Sequence, residues 1–297
     1  MGHFGEIVTA MVTPFKDNGD VDFDEAIKLA NYLVENGTDT VLLAGTTGES
    51  PTLTHKEERQ LFTKVKKNLP KHNTVMAGTG SNCTVTAIKA TQDAERLGVD
   101  SVLQVVPYYN KPCQEGIYQH FKAISESTSL PIMLYNIPGR TGKNMEPETI
   151  ARLSQLKNIV AVKEAAGSIE QVKAISKLIE TDFDIYSGDD GLTLDFMEYG
   201  AKGVVSVASH CVGTQIKDMI QSFLVGQKKE AREIEETLVQ LFETLFVTSN
   251  PAPLKAALKL MGFNVGGLRL PLVEVNENEF NQIKSALEAL NLISVTA

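Results

Sequence analysis

Along most of the chain, short β-branched or apolar runs alternate with segments whose apolar positions recur at helical spacing. The runs at residues 7–12, 40–43, 74–77, 101–105, 132–135, 159–162, 184–186 and 203–207 predict strands. In the first intervening segment, Ala26, Ile27, Ala30, Leu33 and Val34 fall on one helical face, and Val85, Ile88 and Leu97 mark a face over residues 84–97. Gly37, Gly98 and Gly200 are each followed four residues later by a strand valine, Val41, Val102 and Val204. Glycine suits the left-handed cap that ends a helix, so this repeat reads as helix, tight turn and return to the sheet. The strands carry no polar alternation, which implies a parallel sheet covered on both faces. Eight such units close into a (β/α)8 TIM barrel. A doubly wound open sheet is the alternative, but no topological break interrupts the units.

After about Phe223 the strand signal disappears, and residues 228–248, 251–261 and 279–291 read as helices. Pro251 and Pro253, following Asn250, suit the first turn of the middle one. The expected α/β organisation is a barrel over residues 1–224 with a C-terminal helical extension over 225–297, and no low-complexity linker between them.

Composition narrows the function classes. The 297 residues carry a net charge of −9, and no run of lysines or arginines interleaves with aromatics, which argues against a nucleic-acid partner. Cys83, Cys113 and Cys211 are odd in number and far apart, so neither a disulfide framework nor structural zinc is expected. No apolar stretch approaches the roughly 20 residues that cross a bilayer. Met1-Gly2-His3-Phe4 lacks the order of a signal peptide, and Glu6 stands where a myristoylation motif wants serine or threonine. A soluble cytoplasmic protein with no membrane partner is the expectation.

In a barrel of this kind, chemistry gathers at the carboxyl ends of the strands. Lys163 follows the apolar run Ile159-Val160-Ala161-Val162. A lone lysine there reads as a side chain reaching for solvent. Tyrosines and threonines at neighbouring strand ends favour a Schiff-base nucleophile instead. Such a lysine must be neutral to attack a carbonyl, and burial in an apolar mouth disfavours the ammonium. Tyr135 and Tyr109 taken singly are packing residues, but imine formation needs proton shuttling, and Thr46 offers a hydroxyl to connect them. Thr47, in the run Gly45-Thr46-Thr47-Gly48-Glu49, is placed to bind a small carboxylate, and an ordinary tight turn accounts for that run equally well. Gly188 lies in the run after the seventh strand, Ser187-Gly188-Asp189-Asp190. Arg140, in a Pro-Gly-Arg-Thr loop, is either a solubilising surface group or a fork for a substrate carboxylate. Glu49, Glu164 and Asp189 offer carboxylates to a metal, but no histidine joins them and no ligand spacing is present, so helix capping is the preferred reading of Asp189 and Asp190. Gly78-Thr79-Gly80 lacks the lysine and length of a phosphate loop.

The runs Gly45–Glu49, Pro107-Tyr108-Tyr109-Asn110, Tyr135-Asn136-Ile137-Pro138-Gly139-Arg140-Thr141 and Val162-Lys163-Glu164-Ala165 together resemble the dihydrodipicolinate synthase family. The likeness runs from about residue 5 to 273, in order and without large gaps. The wider group of pyruvate-dependent aldolases includes N-acetylneuraminate lyase and sugar-acid aldolases. The Thr46-Thr47 pair and Arg140 look like the synthase branch. The resemblance implies a lyase of the lysine and diaminopimelate pathway that needs no metal or cofactor. It implies an imine between Lys163 and pyruvate, and a proton relay of Tyr135, Thr46 and Tyr109, the last supplied across a subunit interface. Thr47 and the main chain around Val205 would hold pyruvate, and Arg140 the carboxylate of L-aspartate 4-semialdehyde. It also implies a homotetramer. Val205 stands where isoleucine is common. Of the residues that bind feedback lysine in many members, Ser50, His55, Asn82 and Tyr108 match. Glu58 replaces a histidine and Thr86 a glutamate, so weak or absent lysine inhibition is expected. A 2-keto-3-deoxy sugar acid aldolase, a divalent-metal lyase and a non-enzymatic carboxylate-binding barrel are the competing readings.

Overall fold

The computed structural model describes residues 2–180 and 182–294. Met1 and residues 295–297 of the expected extension lie outside the described residues. The strands are β1 (Ile7–Ala10), β2 (Thr40–Leu43), β3 (Thr74–Gly78), β4 (Ser101–Val105), β5 (Ile132–Asn136), β6 (Ile159–Glu164), β7 (Asp184–Ser187) and β8 (Gly203–Ser206). They pair in chain order, all parallel, and β8 closes back onto β1 with Val8 opposite Val205. A doubly wound sheet would reverse its order at a switch point, and this one does not. Polar residues at the carboxyl ends belong to the strands, contrary to the hydrophobic pattern. Asn136 pairs with Glu164, and Glu164 with Ser187, because ladder hydrogen bonds are indifferent to side-chain polarity.

The period of two divides each strand between two cores. Val8, Leu42, Met76, Leu103, Met133, Tyr135, Ala161, Tyr186 and Val205 pack inside the barrel, with Phe4 among them. The other parity, including Val41, Val75, Val102, Leu134, Val162 and Val204, packs outward against the helices. Lys163 shares the inward parity of Ala161, two residues before it.

Gly37, Gly98 and Gly200 adopt φ of +98°, +76° and +93°, as the helix-stop repeat requires. The first helix, Phe23–Glu35, buries Ala26, Leu29, Ala30 and Leu33, while Ile27 and Val34 are half-buried at its flanks. The face expected on Thr84–Arg96 needs correction. Its buried residues are Ala87, Thr91 and Ala94, and Val85 is 75% exposed. Ile88 and Leu97 pack partly buried beside that face, whereas Val85 lies on the opposite side of the helix.

The helices of the extension are Lys228–Thr244, Ala252–Leu260 and Glu277–Ala289. The first stops short of the predicted residue 248. Pro251 and Pro253 do open the middle helix, and Asn276 with Glu279 forms a capping box on the third. Among the described residues, no helix is long and apolar enough to cross a membrane.

Candidate active site

Lys163 stands in β6 with Tyr135 of β5 and Tyr186 of β7 as its register partners. It is 6% exposed, and its Nζ lies 4.4 Å from the centre of the Tyr135 ring. Among the described residues its Nζ makes no ion pair and no hydrogen bond. Burial pushes its amine down to about 8, and the Arg140 charge adds to that, while Asp190 and Asp189 oppose it. A substantial neutral fraction at physiological pH follows. Gly188 sits against this side chain: an added Cβ would lie 3.1 Å from Lys163 Cε and 2.6 Å from Ala165 Cβ. Its lack of a side chain leaves room for the lysine.

Tyr135 is buried and borders the same cavity as Thr46. Burial raises the phenol to about 12, against Arg140 and Thr46, so it stays protonated through the neutral range. Two residues of the expected relay thus share one cavity wall. Tyr109 is not among them within this chain: it is 89% exposed at φ +71°. A bulky residue in that region is strained, and nothing within its own chain covers the ring.

The turn after β2 is bounded by left-handed residues, Ala44 at φ +52° and Glu49 at φ +56°. Gly48 is required inside it, because a Cβ would approach Ala44 N and Met11 O to 3.1 Å. Thr47 is buried, and its hydroxyl accepts a 2.9 Å hydrogen bond from Asn250 Nδ2. Arg140 is exposed, in the short helix Pro138–Thr141, and borders with Thr46 and Tyr135 a cavity of about 490 Å³. Val205 is buried in β8 on the barrel's inner face.

The acids proposed for a metal are engaged elsewhere. Glu49 pairs with Lys255 at 2.7 Å, both side chains fully buried. Glu164 projects outward, where it accepts from Asn136 Nδ2, Gln171 Nε2 and the Ala166 backbone N–H. Asp189 caps a 3-10 turn by accepting from Gly191 N–H, and Asp190 accepts from the backbone N–H groups of Val207 and Ala208. Among the described residues, the grouping with metal-ligand spacing is His3, Asp182 and Asp184, at the opposite ends of the strands. The Thr79 hydroxyl accepts from Gln104 Nε2 and contacts Thr91, which leaves little for an anion.

Ser50, His55, Thr86 and Tyr108 line the same cavity as Tyr135, and Asn82 Nδ2 donates to Tyr108 O at 3.2 Å. Glu58 also lines it, its carboxylate 3.1 Å from His55 Nδ1. Burial raises the Glu58 carboxyl and His55 opposes the shift. Sequence reasoning missed the outward network of Glu164, Asn136 and Gln171, and the contacts from Asn250 and Lys255. The signal for the first lay in the polar residues ending β5 and β6. Nothing in the sequence linked Asn250 to a turn 203 residues away.

The model of the dihydrodipicolinate synthetase family matches residues 3–290 of this chain. A 4-hydroxy-tetrahydrodipicolinate synthase of Acaryochloris marina is 54% identical over 294 residues, covering 99% of this chain and 100% of that protein. Another, from Desulforamulus reducens, is 52% identical and covers 98% of each. A crystal structure of the Cyanidioschyzon merolae enzyme with lysine bound superposes with a TM-score of 0.97 at 50% identity, over 99% of this chain and 100% of that one.

Proposed function

The chain belongs to the dihydrodipicolinate synthetase family, and we propose that it condenses pyruvate with L-aspartate 4-semialdehyde to give 4-hydroxy-tetrahydrodipicolinate, in the route to diaminopimelate and lysine. The observation that carries this reading is Lys163, a buried amine held near 8 with no ion-pair partner beside a protonated phenol. Its neutral Nζ attacks the keto carbon of pyruvate. Tyr135, with Thr46 on the same cavity wall, donates a proton to the departing oxygen, water leaves, and an imine remains. Loss of a methyl proton gives the enamine, whose carbon attacks the aldehyde. The amino group of the second substrate then displaces Lys163 from the imine carbon and closes the ring. Thr47 and the main chain at Val205 hold the pyruvate carboxylate, Gly188 keeps the lysine's path clear, and Arg140 receives the carboxylate of the semialdehyde. No metal or cofactor takes part.

The exposed, strained Tyr109 supports a homotetramer in which its ring completes the relay of a neighbouring subunit. The barrel is assigned to residues 1–224 and the helical unit to 225–297, in a cytoplasmic protein. The site for feedback lysine is proposed to be degenerate, as Thr86 offers no carboxylate.

Pyruvate consumption with L-aspartate 4-semialdehyde, beside several sugar aldehydes, tests the assignment. Turnover only with the semialdehyde is expected. Turnover only with sugar aldehydes would keep Lys163 and move the chain to the sugar-acid aldolases. Loss of activity in a chelator would favour a metal lyase.

A further inference from the structure

We propose that Asn250, in the helical extension, is a positioning residue for pyruvate that acts through Thr47. The inference rests on the pyruvate reading above. A hydroxyl has one proton to donate and two lone pairs to accept with. Asn250 Nδ2 donates to Thr47 Oγ1 at 2.9 Å, with both residues buried, so one lone pair is occupied and the hydroxyl proton is turned away from the amide. That arrangement leaves Thr47 a committed donor, which is what an incoming carboxylate requires.

The extension is fastened to the same turn at a second point. Lys255, one helical turn beyond Asn250, meets Glu49 at 2.7 Å and donates to Gly267 O at 2.7 Å, with its Nζ 4.1 Å from the centre of the Phe15 ring. The Arg269 backbone N–H donates to the other Glu49 oxygen at 3.1 Å. Residues 47 and 49 of one turn are thereby held by the segment from 250 to 269. Such a double anchor fixes the donor direction more tightly than the turn's own hydrogen bonds, Glu49 N–H to Thr46 O and Ser50 N–H to Gly45 O. The buried charged pair adds a directional restraint, since removing either partner leaves an uncompensated charge.

The direction of the Asn250 amide decides the outcome. With nitrogen toward Thr47, an acceptor placed there captures the hydroxyl proton and removes the donor. With oxygen toward Thr47, the same replacement is harmless.

The test is the pyruvate concentration that half-saturates borohydride trapping on Lys163, read by intact mass on the full chain without the second substrate. Asn250→Ala is expected to raise it about fivefold, the scale of one buried hydrogen bond. Asn250→Asp, which keeps the side chain's shape, is expected to raise it further. In a Thr47→Val background, Asn250→Ala should add nothing, because the two act in series. Saturation of Asn250→Asp at the wild-type concentration would overturn the proposal, as would an unchanged Asn250→Ala. An Asn250→Ala effect that persists at full size beside Thr47→Val would also overturn it, since the residue would then act by some other path. If Asn250→Ala does not fold, the isosteric aspartate and its combination with Thr47→Val decide the matter alone. Absence of trapping in the unaltered protein is a separate failure, that of the pyruvate reading itself.

Discussion

Lys163 and Lys255 are both buried, and burial pushes both amines down to about 8, yet they stand in opposite chemical situations. Lys255 is fully enclosed, paired with Glu49 and bonded to the Gly267 carbonyl. Its ammonium is used as a bolt between the helical extension and the turn after β2. Lys163 faces the barrel mouth with a phenyl ring beside it and no acid in contact. A depressed amine therefore does not mark a nucleophile. What distinguishes the two among the described residues is whether the nitrogen is tied to an acid, and only Lys255 is.

The comparison breaks most sharply on removal of each lysine. Lys163→Met should abolish borohydride-dependent mass gain with pyruvate. Trapping elsewhere in that variant, Lys255 included, would undo the assignment. In the unaltered protein, the rate of imine formation should climb as pH rises through about 8, because deprotonation makes the attacking form. A rate flat from pH 6 to 9 would mean that amine release is not what limits attack.

Tyr135→Phe removes the proposed proton donor beside Lys163 while keeping the ring. We expect a fall of about 10²–10⁴-fold in turnover, with a thermal midpoint close to the original. A loss of less than about threefold would assign the proton step to another group.

Stability should move in opposite directions for the two lysines. Lys255→Met leaves the Glu49 carboxylate buried and alone, at a cost of about 3–5 kcal/mol by urea unfolding. Adding Glu49→Gln should recover much of it. Lys163→Met should instead stabilise the fold by about 2–3 kcal/mol at pH 7. The sign follows from proton linkage. With its amine lowered from 10.5 to about 8, the unfolded chain binds more protons between those values, so stability rises with pH across that window. The penalty is complete below about 8, and the benefit of Lys163→Met should fade as pH approaches 10.5. A destabilised Lys163→Met at pH 7 would show that its methylenes matter more than its charge.

The smallest expected effect concerns lysine as an inhibitor. Thr86 lacks the carboxylate that would meet an ammonium, so half-inhibition is expected only in the millimolar range or above. Inhibition at lower concentration would show that Glu58, which lines the same cavity, takes over that role. Glu58→Gln would then abolish it.

Much of the fold was legible in the chain. Six of the predicted strands start and stop within a residue of the observed bounds (β2, β3, β4, β5, β7 and β8), and the glycine repeat marked real left-handed helix stops. The reason is local: burial on both faces forces apolar runs, and positive φ selects glycine. Lys163, Tyr135 and Thr46 were also legible, because strand ends in a barrel converge on one rim whatever the loops do. The resemblance supplied the roles proposed for them, which periodicity alone did not.

Other features needed the folded chain. Val85 looked like core and is exposed, because the helix turns its Ala87, Thr91 and Ala94 face to the barrel and leaves residue 85 on the other side. Glu49 looked like a free carboxylate until Lys255, 206 positions later, was brought against it. Tyr109 kept its place in the sequence motif, yet its own chain leaves it in solvent. The sequence by itself determined the repeating βα units, the parity that turns Lys163 inward and the chemical types at the rim, since each depends on neighbours a few residues away. Tertiary structure alone decided which lysine is paired with an acid and which is not, because that depends on contacts between segments whose sequence separation carries no local signal.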